Sequence, residues 1–291
     1  MKLKSIMNKI KALFIKFNAS DKMKLDGILL GSDKKTCLIY VHGMNGNFYK
    51  SSIPFELSKQ NNFSIFSINT RGHDLLSTIR TQSGRKGVLA GTGAEVFEDS
   101  VKDIKGAVNT MKSLGYKNIF LGGHSTGCQK ITHYVYKTKD KRIKGIILFA
   151  PADDYSIKRL ELGKDFNNFQ ENIKKLLKNK TNSNNPLQEY GFFTPNRLKS
   201  AYTKKGNEAM IYNYDGKLRE FSSIKIPIFA IFGSKEEYSD RNVLEYMKIL
   251  EEKTKSKNFN YKIIKNATHS FDGFGNILLK SVNEWIVKIG K

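Results

Sequence analysis

Leu121-Gly122-Gly123-His124-Ser125-Thr126-Gly127-Cys128 decides how this chain folds. A mostly apolar run, Asn118 to Leu121, meets a Gly-x-Ser-x-Gly pattern at Gly123 to Gly127, and a helix-compatible stretch follows from Gln129 to Tyr136. The succession is a strand, a sharp turn and a helix. A serine at the apex of such a turn adopts a strained backbone conformation, and the residues two before and two after it must be small. Gly123 and Gly127 meet that need. The turn lifts the Ser125 hydroxyl above the sheet edge and aims a helix N-terminus at any charge that develops beside it.

Outward from this turn, strand and helix patterns alternate. Cys37 to Val41, Phe63 to Asn69, Ile143 to Phe149, Ile228 to Phe232 and Phe259 to Ile264 are short apolar runs of the kind buried on both faces. Between them Phe97, Val101, Ile104, Val108, Met111 and Leu114 recur at helical spacing up to Gly115. Helices are also expected from 51 to 60, starting late because of Pro54, from Val243 to Glu251 and from Phe274 to Ile289. Met23 to Leu30 reads as one arm of an antiparallel pair closing at Gly31-Ser32-Asp33, and residues 75 to 94 read as irregular. The expected fold class is α/β, an open, mostly parallel sheet covered by helices, with its ligand site outside the carboxyl ends of the strands.

The pattern breaks after Ala150. Residues 151 to 223 hold helical stretches such as Asn168 to Lys178, polar turns, and the aromatics Tyr190, Phe192, Phe193, Tyr202, Tyr212 and Tyr214. A lid inserted over the strand ends is expected there, its aromatics either lining an acyl pocket or packing the lid on the core. Three parts follow: an N-terminal segment 1–17, a core of 18–150 and 224–291, and a lid of 151–223.

Composition narrows the classes. The 291 residues carry a net charge of +23, yet Lys and Arg are not clustered with aromatics in any recognition motif, which argues against specific nucleic-acid binding. Apolar runs of about five residues are too short to span a membrane. Lysines interrupt the apolar stretch of Met1 to Phe17, so a secretion signal is not expected and the protein is read as cytoplasmic. In the same segment Leu3, Ile6, Met7, Ile10, Leu13, Phe14 and Phe17 recur at helical spacing opposite lysines, a pattern for peripheral contact with an anionic membrane. The competing reading is an edge strand near Ala12 to Asn18. Cys37 and Cys128 lack partners at metal-ligand spacing and read as buried thiols. Gly91-Thr92-Gly93 lacks the strand and third glycine of a dinucleotide site. Neither metal nor cofactor is expected.

A serine hydroxyl needs a base, and the base needs an acid to hold its tautomer. Ser125 follows one strand, an acidic cluster a later one and His269 the last, so three strand ends supply nucleophile, acid and base in order. Glu236, three residues past Gly233, is the preferred acid. Glu237 and Asp240 are the near alternatives, with Asp153 and Asp154 more remote. The backbone N–H groups of Thr126 and Met44 are the expected donors to a developing oxyanion. His42, His73, His124 and His133 read as turn or helix residues.

His42-Gly43, the Asn-x-Arg-Gly-His-Asp run of Asn69 to Asp74, the turn at Ser125 and Thr268-His269-Ser270-Phe271 together resemble the α/β-hydrolase superfamily from about Leu25 to Ile289. More narrowly, Gly-His-Ser-Thr-Gly-Cys-Gln at 123 to 129 with Glu-Glu-Tyr at 236 to 238 resembles a poorly characterised serine-hydrolase branch with fungal and bacterial members. In that branch aspartate is common where Glu236 stands. The resemblance implies an esterase-like enzyme acting on a small-molecule or lipid ester through an acyl-enzyme, and leaves thioesters and amides open. The alternative reading is a non-catalytic membrane-surface or scaffold protein on the same fold.

Overall fold

The computed structural model describes residues 11–31, 35–59, 62–81, 84, 87–178 and 183–290. Its sheet is built from β1 (Ala12–Asn18), β2 (Lys24–Leu30), β3 (Thr36–Val41), β4 (Ser64–Ile68), β7 (Asn118–His124), β8 (Ile143–Phe149), β9 (Ile228–Gly233) and β10 (Phe259–Ile264), with β5 (Ser77–Arg80) and β6 (Gly87–Ala90) forming a separate hairpin. The spatial order is β1-β2-β4-β3-β7-β8-β9-β10. Pairing is parallel from β4 to β10 and antiparallel where β2 meets β1 and β4. Every residue of β4 and of β9 is buried, as continuous apolar runs require between two helical layers.

Helices cover both faces: α1 (Ile53–Leu57), α2 (Ser100–Ser113), α3 (Thr126–Thr138), α9 (Val243–Lys253) and α10 (Gly275–Gly290). Pro54 sits in the first turn of α1, where its missing N–H costs nothing. On α10 the inward stripe includes Leu278, Val282 and Trp285, and the indole stacks on Phe229 at 5.7 Å. Between β8 and β9 the chain forms α4 (Asp154–Leu162), α5 (Phe166–Lys178), α6 (Pro195–Tyr202), α7 (Asn207–Ile211) and α8 (Arg219–Ser222).

The N-terminal amphipathic pattern falls partly on residues 1–10, outside the described residues. From Ala12 to Asn18 the edge-strand reading holds: this segment is β1, because Leu13-Phe14-Ile15-Lys16-Phe17 satisfies its backbone against β2 and buries Phe17 edge-on to Phe66 at 5.5 Å. Two expectations change. β2 does not turn back onto β3; β4 lies between them, and the antiparallel partners of β2 are β1 and β4. The stretch read as irregular contains the β5–β6 hairpin, and Gly91 N–H bonded to Arg71 O at 2.8 Å leads the chain back to the core.

The order of the strands fixes the site. After β3 the chain steps outward to β4, then returns to the other side of β3 as β7. The β3/β7 boundary is therefore a topological switch point, where connections leave in opposite directions and open a crevice at the carboxyl ends. Val41 pairs with Gly123 at that boundary. The loops beyond them carry His42 to Met44 on one side and Ser125 on the other.

Candidate active site

Ser125 has φ 53° and ψ −125°, a backbone conformation that a non-glycine residue adopts only under constraint. The constraint comes from close packing on either side. A Cβ on Gly123 would lie 2.4 Å from the Gly127 carbonyl, and one on Gly127 would lie 2.3 Å from the Val41 carbonyl. Ser125 N–H donates to Phe149 O at 2.9 Å, and Cys128 N–H donates to Ser125 O at 2.8 Å, which closes the turn and starts α3. Burial pushes the Cys128 thiol well up, and its Sγ–H points at Gly123 O at 3.0 Å, so this cysteine serves the turn.

His269 stands in the loop after β10, and Glu236 in the loop after β9. Ser234 N–H to Ile264 O (2.9 Å) and Lys235 N–H to Ala267 O (2.9 Å) tie these two loops together. His269 Nδ1–H donates to Glu236 Oε1 at 2.6 Å, and the Glu236 side chain is buried. The same oxygen accepts Tyr238 N–H at 3.1 Å, while Oε2 is buried with no partner among the described residues. Such a bond fixes the tautomer that leaves Nε2 unprotonated, the state a base requires.

The other carboxylates are engaged elsewhere. Glu237 Oε2 accepts the backbone N–H of His269 at 2.7 Å, so it holds the loop rather than the ring. Asp240 is committed to Arg241 and to Tyr246 Oη–H at 2.7 Å. Asp153 caps α4, accepting Ser156 N–H and Oγ–H at 2.9 Å each, and burial raises its carboxyl to about 6. Asp154 accepts the Gln129 amide at 2.9 Å, and burial, reinforced by Glu208, pushes it well above the carboxylate range.

Ser125 and His269 line one cavity of about 440 Å³ with Gly43, Met44, His124 and Asp154. No hydrogen bond joins Ser125 Oγ to His269 among the described residues; catalytic contacts of this kind are often long until substrate binds. A Cβ on Gly43 would lie 2.9 Å from Ser125 Cβ, which measures how closely the β3 loop abuts the serine. Thr126 begins α3, so its N–H has no intrahelical acceptor, and among the described residues the Met44 N–H has none either.

Buried polar groups hold that loop in place. His42 Nδ1–H donates to Gly43 O at 2.8 Å, and its Nε2 accepts Thr70 N–H at 3.2 Å. Both ring nitrogens are thus committed in the neutral form; burial, with Lys130 nearby, pushes the imidazole down to about 3. Lys130 Nζ reaches Thr70 Oγ1 at 3.2 Å and Glu95 Oε2 at 2.8 Å. Arg197 of α6 pairs with Glu95 at 3.3 Å and with Glu208 of α7. All four charges are nearly inaccessible, and they join the core to the helices after β8. Arg71 and Asp74 of the Asn69 to Asp74 run also brace the site. Arg71 binds Asp103, Asp99 and Asp21, and Asp74 accepts from Asn47 at 2.9 Å and Lys50 at 2.7 Å.

Sequence reasoning offered Glu237 as an alternative acid and His124 as a turn residue, and missed that both hold backbone atoms of His269. It also missed the ionic chain, whose charges meet across long separations in sequence. Among the described residues no group of three or more His, Cys, Asp and Glu is placed to hold a metal ion, and no helix is long and apolar enough to cross a membrane.

Comparison with known proteins agrees with this architecture. Est1E from Butyrivibrio proteoclasticus with ferulic acid bound superposes with a TM-score of 0.65 at 18% identity, covering 94% of this chain and 99% of that one. The Pyrococcus furiosus esterase Pf2001 gives 0.59 at 18% identity over 96% and 91% of the two chains. The Paleococcus ferrophilus monoacylglycerol lipase gives 0.56 at 16% identity over 96% and 99%. These likenesses show the fold. No curated protein sequence matches the chain. The family described as serine aminopeptidase, S33, matches residues 32–272, most of the sequence. The chain therefore belongs to the serine aminopeptidase S33 family of α/β hydrolases, and is a serine hydrolase.

Proposed function

We propose that the protein cleaves carboxylic esters of small molecules through an acyl-enzyme, with Ser125 as nucleophile, His269 as base and Glu236 as the acid that orients it. The observation that carries this reading is the 2.6 Å bond from His269 Nδ1 to Glu236 Oε1 beside a cavity that also contains Ser125. Ser125 Oγ attacks the carbonyl carbon and its proton passes to His269 Nε2. The carbonyl oxygen, now negative, accepts from the N–H groups of Met44 and Thr126, each worth about a hundredfold to a thousandfold in turnover. His269 returns the proton to the leaving alcohol, and water repeats the sequence on the acyl-Ser125 to release the acid. Residues 151–223 serve as the lid over this cavity.

A fluorophosphonate probe tests the nucleophile directly. The folded wild type is expected to be labelled and Ser125→Ala to remain unlabelled; labelling that survives the substitution removes Ser125 from the reaction. A second reading, amide cleavage at a free amino terminus, is favoured by the Asp154 carboxyl in the cavity wall, where a substrate ammonium would draw it back to the carboxylate. Aminoacyl p-nitroanilides assayed beside ethyl acetate decide between the two.

A further inference from the structure

We infer that an aromatic recess between α4, α5 and α6 is a subsite for the apolar half of the ester, entered from the catalytic cavity past Met44 and Tyr202; the inference rests on the ester-hydrolase reading above.

The recess has a volume of about 430 Å³ and is walled by Leu162, Phe169, Tyr190, Phe193, Leu198 and Tyr202, with Lys158 and Glu189 also in its lining. Phe169 meets Tyr190 at 6.2 Å and Tyr202 at 6.1 Å, and Phe193 meets Tyr202 at 6.1 Å. A volume of this size falls within the range of ligand pockets. Aromatic walls favour an aryl group, through edge and face contacts that a plain chain does not make.

The recess is one side chain away from Ser125. Met44 lines the catalytic cavity and also packs on the apolar cluster of Ile173, Phe193 and Leu198. Tyr202, a wall of the recess, donates its hydroxyl to Met44 Sδ at 3.7 Å. The partition is therefore an unbranched thioether held by a weak sulfur contact, and rotation about its side-chain bonds joins the two spaces without backbone movement. The catalytic cavity itself mixes Met44, Ala152 and Tyr238 with Asn45, Asn47, Lys50, Asp154 and Asp272, and offers no continuous aromatic wall like that of the recess. An apolar substituent on the substrate is best buried across Met44.

Three esters locate the subsite by titrimetric hydrolysis: ethyl acetate, methyl 4-phenylbutyrate with the ring on the acyl side, and 4-phenylbutyl acetate with it on the alcohol side. The wild type is expected to favour one phenyl ester over ethyl acetate in kcat/KM by about tenfold or more, and which one it is assigns the half. Leu162→Trp, which fills the recess, is expected to lower that ratio about tenfold. Met44→Ala, which removes the partition, is expected to change it by at least about threefold, and it decides the matter if Leu162→Trp does not fold. Equal kcat/KM for the three esters, or a ratio unmoved by these variants, overturns the subsite while Ser125-dependent ethyl acetate hydrolysis stands. Folded wild type that hydrolyses none of them overturns the ester reading and the subsite with it.

Discussion

The ring of His124 lies 4.7 Å from the ring of His269, and His124 Nε2–H donates to the His269 carbonyl at 2.9 Å. The residue before Ser125 thereby holds the backbone of His269, while Tyr238 covers the imidazole edge-on at 4.8 Å and Glu237 takes its N–H. Burial pushes His124 down to about 3, so it stays neutral beside His269, the base proposed above. Loss of this clamp costs about one hydrogen bond, roughly 1.4 kcal/mol, or about tenfold in rate. His124→Asn is expected to lower kcat about tenfold with KM little changed, measured by steady-state kinetics on ethyl acetate. An equal loss in KM makes the role one of substrate binding.

Glu236 and Glu237 separate by the atom each one holds. Replacing a triad acid by its amide presents the wrong tautomer and typically costs about ten-thousandfold in kcat. Glu236→Gln is expected to approach that loss. Glu237→Gln still accepts the His269 N–H through its amide oxygen and is expected to stay within about tenfold of wild type. A reversed order moves the acid to Glu237.

The parallel core was legible because strands buried on both faces leave continuous apolar runs, as in Ile228 to Phe232. Ser125, His269 and Glu236 stood out as candidates because each follows such a run. The edge strand β1 was harder: with Leu13 and Phe14 exposed at 58% and 53%, its apolar residues do not alternate with burial and fit a helical spacing equally well. The β5–β6 hairpin is two strands of four residues, too short to establish an alternation, and its Val88 and Leu89 are exposed rather than buried. Lys130 looks like a surface lysine until α3 is seen to be buried from Thr126 through Val135, which turns its charge inward to Glu95.

The glycines around Ser125 are required by contact with backbone, which cannot rotate away. Gly127→Ala places a Cβ 2.3 Å from the Val41 carbonyl and is expected to destabilise by about 3 kcal/mol or more, at the upper end of overpacking costs. Gly115→Ala, where nothing lies within 4 Å of the added carbon but φ is 93°, isolates the cost of backbone strain alone. Urea unfolding of the two variants compares the contributions, and equal losses refute the steric account.

Arg197 is the hinge of the buried charge chain. Removing one member of such a set leaves its partners charged and unpaired, which typically costs about 3–5 kcal/mol, whereas replacing the whole set by apolar residues is often neutral. Arg197→Met is expected to lose an amount in that range, and adding Glu208→Met to recover part of it, leaving Glu95 paired with Lys130. Thermal unfolding of both variants reads this coupling; a double variant no more stable than the single one denies that Glu208 is the group left stranded.

His42 gives stability a pH dependence whose sign follows from its burial beside Lys130. Its folded value of about 3 lies below the ordinary 6.5, so the unfolded chain takes up a proton first. The contribution is complete above pH 6.5 and is lost as pH falls toward 3, at about 1.4 kcal/mol per pH unit. Burial is the main reason the folded form resists protonation, which would also set an Nε2–H against the Thr70 N–H. His42→Asn removes the titration while an amide oxygen can still accept that N–H. The stability gap between wild type and variant is therefore expected to shift in the variant's favour by about 2 kcal/mol between pH 7 and pH 5. Urea titrations at the two pH values measure it, and parallel curves show that His42 takes up its proton in the folded state.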